Sequence, residues 1–133
     1  MDDRPVVVVV AGRHRPHEII FLVVGLVVGV AYLLGTPPAV SLHRALPGGW
    51  LRVWAAAFAF HGLLGLVAVI WPTRWSLKLE QAAQLLGAGV LVWYIGAVIP
   101  FGWPALFAGM LPAAWALANL WRARQIQTEL RRR

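Results

Sequence analysis

The longest uncharged stretch of the sequence, residues 81–121, most constrains what this chain can fold into. It holds 41 residues without Lys, Arg, Asp or Glu. As one straight helix it would be about 61 Å long, about twice the apolar thickness of a lipid bilayer. Pro100, Gly102 and Pro104 interrupt it near its midpoint, and these residue types break helices. We therefore predict that the chain turns at residues 99–104 and that two helices flank the turn.

Two further stretches, residues 19–43 and 53–73, also lack Lys, Arg, Asp and Glu, and both are long enough for a membrane span. Overall, 60% of the residues are hydrophobic and 13% are charged, which leaves too few charges to cover a soluble domain of this length. We predict an all-α integral membrane protein with four transmembrane helices in two hairpins, at residues 19–35, 50–71, 77–99 and 105–121. A basic arm (1–18) precedes this bundle and a basic helical tail (122–133) follows it.

The distribution of Lys and Arg predicts the orientation of these spans. With four spans, the arm, the loop after the second span and the tail share one side, and they carry ten of the twelve Lys and Arg residues. Arg44 and Arg52 lie on the other side. Because loops rich in Lys and Arg remain on the cytoplasmic side, we expect both termini in the cytoplasm of a bacterial cell and the bundle in its cytoplasmic membrane.

The net charge of +7 and the basic C-terminal tail indicate an acidic counterpart. For a membrane protein, anionic lipid headgroups are the expected counterpart, and nucleic acid is not. Ala123, Ile126 and Leu130 form a narrow apolar stripe along the tail, which fits a helix lying on lipid. The alternative is a seam for a cytoplasmic protein partner or for a second copy. In either case the tail arginines face lipid or the partner: Arg122, Arg124, Arg131, Arg132 and Arg133.

Small residues recur four positions apart in each predicted span, beginning with the motif Gly25-Leu-Val-Val-Gly29. Such residues let helix backbones approach closely in lipid, where no hydrophobic force drives helices together. We interpret them as packing seams within the bundle and secondarily as contacts of a homo-oligomer. The pairs are Gly25 with Gly29, Ala55 with Ala59, Ala83 with Gly87, and Ala105 with Gly109.

His61 is the only ionisable residue deep within a predicted span, and Asn119 is a polar residue near the end of the fourth. An ionisable group inside a membrane is a functional hypothesis because burial there is costly. By sequence, however, all five acidic residues lie outside the spans or at their edges. A hydrogen bond from the imidazole to a carbonyl of a neighbouring helix therefore fits better than an ion pathway. Asn119 is a candidate donor of another bond between helices.

The sequence offers little for enzymatic chemistry. It has no cysteine, two serines and no glycine-rich phosphate loop after a strand. His14 and His17 are two metal-ligand types on one arm, but a proline separates them and two ligands make a weak site. We predict no catalytic site, no metal and no cofactor.

Three segments resemble parts of small four-span membrane proteins encoded by bacteriophages of actinobacteria. They are residues 79–82 (LEQA), 118–126 (ANLWRARQI) and 130–133 (LRRR). The resemblance covers roughly the C-terminal half of the chain. It implies a phage or prophage origin, and some of these proteins are called holin-like.

Three functions are therefore carried forward as hypotheses. The first is a holin-like protein that permeabilises the membrane as an oligomer. The second is an assembly factor that recruits a partner through its basic tail. The third is a small channel or transporter that uses His61.

Overall fold

The computed structural model describes residues 16–38, 40–71 and 75–131. Every regular element in these ranges is helical, which confirms the predicted all-α class for this part of the chain. The elements are α1 (Pro16–Leu33), α2 (Val40–Ala45), α3 (Trp50–Ile70), α4 (Ser76–Val98), a 3₁₀ turn (Ile99–Phe101) and α5 (Trp103–Arg131).

Three of these helical segments are long and apolar enough to cross a membrane: α1, α3, and α4 with its 3₁₀ turn. Their most apolar windows have mean hydropathies of 2.0, 2.1 and 1.8. Much of this apolar surface faces outward, and a patch of this extent fits a lipid environment better than water. Large apolar side chains on it include Val27, Phe60, Leu85 and Val92.

The end of α1 is fixed by backbone geometry at Gly35. Gly35 has φ +92°, a left-handed conformation that glycine adopts without steric cost. Its N–H donates to Tyr32 O, and the N–H of Thr36 donates to Ala31 O. These two bonds form a Schellman motif, which satisfies the last carbonyls of the helix, and two prolines follow.

The chain turns between α4 and α5 where the sequence predicts it. Gly102 has φ +82° and its N–H donates to Ile99 O at 3.2 Å. Contacts along the hairpin then show that the helices are antiparallel. Gln81 near the start of α4 donates to Gln127 late in α5. A Cβ added at Gly109, early in α5, would lie 3.9 Å from Val98 at the end of α4.

Helices α1 and α3 approach each other so closely that backbone meets backbone. A Cβ added at Gly29 would lie 2.6 Å from Ala55 O and 2.8 Å from Ala59 Cα. A Cβ added at Gly62 would lie 2.5 Å from the backbone N of Leu26. Real Cβ atoms do not come this close to backbone, so these positions admit only glycine at the observed spacing. The sequence motifs point to Gly29, Ala55 and Ala59, whereas Gly62 was missed.

The other predicted packing residues differ in how closely they pack. Gly25 and Gly87 face the imidazole of His61, and Ala83 is fully buried beside it. Gly109 is buried, but a Cβ there would make only an ordinary contact. The side chain of Ala105 lies outside the described part of the structure, so its packing role stays a prediction.

The short helix α2 was not predicted from the sequence. Leu42 within it and Leu46 just after it are buried against Trp54 of α3. The Trp54 Nε1–H donates to Val90 O of α4 at 3.1 Å. The connection between α1 and α3 therefore covers the core at the end of the bundle where α1 ends and α3 begins.

Helix α5 runs without interruption from Trp103 through Pro112 to Arg131. In the tail portion, Ala123 and Ile126 are buried, and Ile126 is among the least exposed side chains of the described chain. Most of the apolar stripe that was predicted to face lipid or a partner is therefore buried against other parts of the same chain. The exposed face of the tail is polar and includes Arg124 and Arg131.

We expect Gly62→Ala to destabilise the fold by about 1–3 kcal/mol, because the added methyl forces two backbones apart. The matched control is Gly96→Ala on α4, where a Cβ meets nothing within 4 Å. That change should be neutral or slightly stabilising, since alanine has the higher helix propensity. Thermal unfolding in detergent measures both, and equal midpoints for the two variants would contradict the close approach.

Candidate functional site

Buried polar side chains collect in one half of the bundle. We call the nearby end the termini end: it is where α1 and α4 begin, where α3 ends, and where α5 passes Trp121. The buried polar residues there come from three helices, and Glu18 of α1 lies at their edge. The buried polar residues are His61 on α3, Ser76, Glu80 and Gln84 on α4, and Asn119 on α5.

An ion pair joins α4 to α5 at this end. Arg122 approaches Glu80 Oε1 through Nη2 at 2.7 Å and through Nε at 2.8 Å. Glu18 Oε2 of α1 lies 3.8 Å from Arg122 Nε. The side chains of Glu80 and Arg122 are only 3% and 12% exposed. Removal of charges from water is costly, and such groups are retained when they are paired and hydrogen-bonded.

The prediction that Arg122 faces lipid or a partner is therefore wrong. Its guanidinium turns inward because the buried carboxylate of Glu80 requires a counter-charge. The sequence places Glu80 at the edge of a span. The structure buries it three residues before Ala83, which is about 4.5 Å along the helix axis. A carboxylate consequently lies about one turn from the level of His61.

His61 is fully buried and its orientation is fixed by one hydrogen bond. Nδ1 lies 2.7 Å from Ala83 O of α4, as expected for a bond to a neighbouring helix. A carbonyl can only accept, so Nδ1 carries the proton of this bond. Gly87 makes room for the ring, because a Cβ there would lie 2.5 Å from Nδ1.

Three buried polar atoms have no hydrogen-bond partner within the described residues: His61 Nε2, Trp115 Nε1 and Asn119 Nδ2. Asn119 lies opposite Gly87, where a Cβ would be 2.7 Å from its Nδ2. The predicted bond from this amide to another helix is not found among the described residues. Unpartnered buried atoms are uncommon in proteins and usually contact water or a ligand.

All three residues line one cavity of about 130 Å³. At the termini end the lining includes His17, Glu18, Trp121, Arg122 and Gln125, of which His17 and Trp121 are exposed. Its other wall is formed by His61, Gln84, Trp115 and Asn119 together with Phe21, Leu22 and Ala118. The cavity therefore leads from the surface at the termini end to the buried imidazole.

Aromatic rings close the cavity on its far side. Trp115 stacks on Phe21 with centroids 4.6 Å apart and lies 5.5 Å from Phe58. Phe58 is nearly parallel to the imidazole of His61, with centroids 6.1 Å apart. A second cavity of about 260 Å³ lies beyond, and Trp115 and Phe58 line it too. None of the described residues lining this second cavity is charged.

Sequence reasoning singled out His61 and Asn119 but missed Gln84, Trp115 and the pairing of Glu80. A signal for α4 was present: Glu80, Gln84 and Gly87 follow each other at spacings of four and three, which places them on one helical face. Asn119 and Arg122 are likewise three apart on α5. His14 lies outside the described residues, so the predicted His14 and His17 pair remains untested.

No family model matches the chain, and no solved structure matches it. An uncharacterized protein of Archaeoglobus fulgidus is 34% identical over 84 residues, which covers 56% of this chain. The same match covers 25% of that protein, so the chain spans about a quarter of the length of this relative.

We expect Arg122→Met to destabilise the protein by about 3–5 kcal/mol, because it removes the guanidinium partner of a buried carboxylate. The double variant Glu80→Gln/Arg122→Met should cost less than the two single changes together. The exposed residues Arg124 and Glu129 supply the control pair, Arg124→Met/Glu129→Gln, which should change stability little. Unfolding in detergent gives all these values, and additive costs at positions 80 and 122 would contradict a coupled pair.

Proposed function

We propose that the chain is a multi-pass protein of the bacterial cytoplasmic membrane, with four spans and both termini in the cytoplasm. The antiparallel α4 and α5 hairpin supports a fourth span formed by the first part of α5. The excess of Lys and Arg at the termini end supports the orientation. Arg124 and Arg131 are exposed on the tail, where they can contact anionic headgroups.

Within this topology, we infer that the protein belongs to the channel or transporter class and admits a small polar species from the cytoplasm. The observation that carries this proposal is the polar cavity that connects the termini end with His61. In membrane proteins, polar and ionisable groups that face a cavity mark the routes of ions and solutes. The sequence suggested a channel or transporter role for His61 but placed no polar groups beside it. The polar residues that line the cavity now support that role.

Single-cysteine variants test this proposal, because the sequence contains no cysteine. Gln84→Cys places a thiol in the cavity, and Leu85→Cys places one on the outward apolar face beside it. A charged, membrane-impermeant thiol reagent should modify Gln84→Cys from the cytoplasmic side, since only a hydrated thiol ionises and reacts. Leu85→Cys should remain unmodified in lipid.

Intact cells and inverted membrane vesicles expose opposite faces of the membrane to the reagent. We expect Gln84→Cys to react in inverted vesicles and not in intact cells. Reaction in intact cells would contradict the orientation, and equal rates at positions 84 and 85 would contradict a hydrated cavity. The purified protein in liposomes should also conduct a small ion, and His61→Ala should alter that flux.

A second candidate function is the holin-like oligomer, and one observation favours it. Leu85, Gly89, Val92 and Gly96 form an exposed stripe along α4. A Cβ at either glycine would meet nothing within 4 Å, so this surface could seat a helix of another copy. The small residues of α1 and α3, in contrast, are already used within one chain.

The oligomer hypothesis predicts that Gly89→Leu/Gly96→Leu abolishes both cross-linking between copies and the loss of membrane potential on expression. The matched change Leu85→Ile/Val92→Ile keeps the stripe apolar without filling a glycine position and should leave both unchanged. Membrane potential that stays intact on expression of the unaltered chain would contradict this function. Recruitment of a protein partner by the tail has weaker support, because Ala123 and Ile126 are buried within the chain.

A further inference from the structure

We propose that Nε2 of His61 is a proton-binding site that is loaded from the termini end through water held in the polar cavity. The inference rests on the proposed function and names the species that enters: a proton. It assigns to Asn119 and Trp115 the role of positioning the water next to the imidazole, and to Trp115 and Phe58 the role of closing the route beyond it.

The hydrogen bond to Ala83 determines what His61 can do. Because Nδ1–H donates to the carbonyl, Nε2 of the neutral ring carries a lone pair and accepts. A proton that arrives from a hydronium ion forms a bond to Nε2 and leaves a water molecule behind. The resulting imidazolium keeps its Nδ1–H bond to Ala83, so uptake requires no rotation of the ring.

The unpartnered atoms match water better than they match a larger solute. The N–H groups of Trp115 and Asn119 are donors, and Nε2 of His61 is an acceptor, so the deep wall offers both functions. Water satisfies both. A volume of about 130 Å³ has room for several water molecules.

Charged and titratable groups surround the route from the termini end to His61. They are His17 and Glu18 on α1, Glu80 on α4 and Arg122 on α5. On α3 itself, the described residues near the cavity contribute only His61. Glu18 lines the cavity, whereas Glu80 is held by Arg122 at the side.

The barrier on the far side makes the route one-sided. Beyond the imidazole lie the rings of Phe58 and Trp115, and then a cavity without charged lining residues in the described chain. Trp115 lines both cavities, so its indole is the partition between them. In this conformation a proton on His61 therefore exchanges with the cytoplasmic side, and its passage to the opposite side requires the indole of Trp115 to move.

The test is nitrogen NMR of the full chain, labelled with ¹⁵N-histidine and held in lipid nanodiscs. The signal of the buried ring is the one lost in His61→Gln, and His43→Gln, at an exposed position, is the control. We expect Nε2 of His61 to change reversibly from an unprotonated to a protonated nitrogen as the pH falls, while Nδ1 stays protonated. An Nε2 that stays unprotonated from pH 4 to pH 9, or a proton found on Nε2 instead of Nδ1 at neutral pH, would overturn the assignment.

Sidedness is tested in liposomes that hold the protein in one orientation, by a pH step applied to each face in turn. From the face that bears the termini, the unaltered protein should take up one proton per chain more than His61→Gln does. Trp115→Ala should allow uptake from both faces, whereas Trp115→Phe, which retains a ring, should keep the route one-sided. The same excess over His61→Gln, taken up equally fast from the opposite face, would overturn the barrier, and so would one-sided uptake in Trp115→Ala.

These readouts separate the inference from the proposed function. Proton binding at His61 without any steady ion flux would retain the site and refute the channel or transporter class. Steady flux that persists in His61→Gln would retain the class and refute this site.

Discussion

The close backbone contact between α1 and α3 at Gly29 and Gly62 sets the spacing on which the rest of the bundle depends. Helices in lipid gain little from burying apolar side chains against each other, so close packing of backbones supplies much of the attraction. The contact also has a local consequence. Gly25 lies one turn from Gly29 on the same face of α1, and it leaves room for the imidazole of His61. The residues that bring the two helices together thus also seat the buried polar group.

The second constraint is that each buried polar group needs a partner. At Glu80 and Arg122 the constraint is met by a direct ion pair between α4 and α5. At His61 it is met on one nitrogen by Ala83, whereas the other nitrogen has no partner among the described residues, and the residue lines a cavity. The difference matters for function, because a fully paired group stabilises a structure whereas a half-satisfied one remains available to water or a ligand. The ion pair is therefore best understood as the support of the site, and His61 as its reactive member.

The sequence predicts much of the helical architecture because its signals are local. Uncharged length predicts the apolar helices, and Pro100 with Gly102 predicts the turn between α4 and α5. The pairing of Glu80 with Arg122 could not be predicted in the same way, since the two are 42 residues apart and their contact depends on how α4 and α5 rotate. Helix α2 was missed because six residues between prolines carry too little periodicity to distinguish a helix from a loop. The polar cavity depends on the relative rotation of all four long helices, so no single segment encodes it.

The placement of the small residues also bears on the choice between the two proposed functions. An oligomeric pore requires small or polar residues on the outer surface, where copies meet and where a channel would be lined. In this chain most of them face inward, and the outward surface of the described helices is dominated by large apolar side chains. A single bundle with an internal polar route uses its small residues as they are found here, between its own helices. The exposed Gly89 and Gly96 of α4 are exceptions, and an oligomer that uses glycine contacts on α4 would form through that stripe. The arrangement therefore favours a function carried out inside one chain over one that arises between copies.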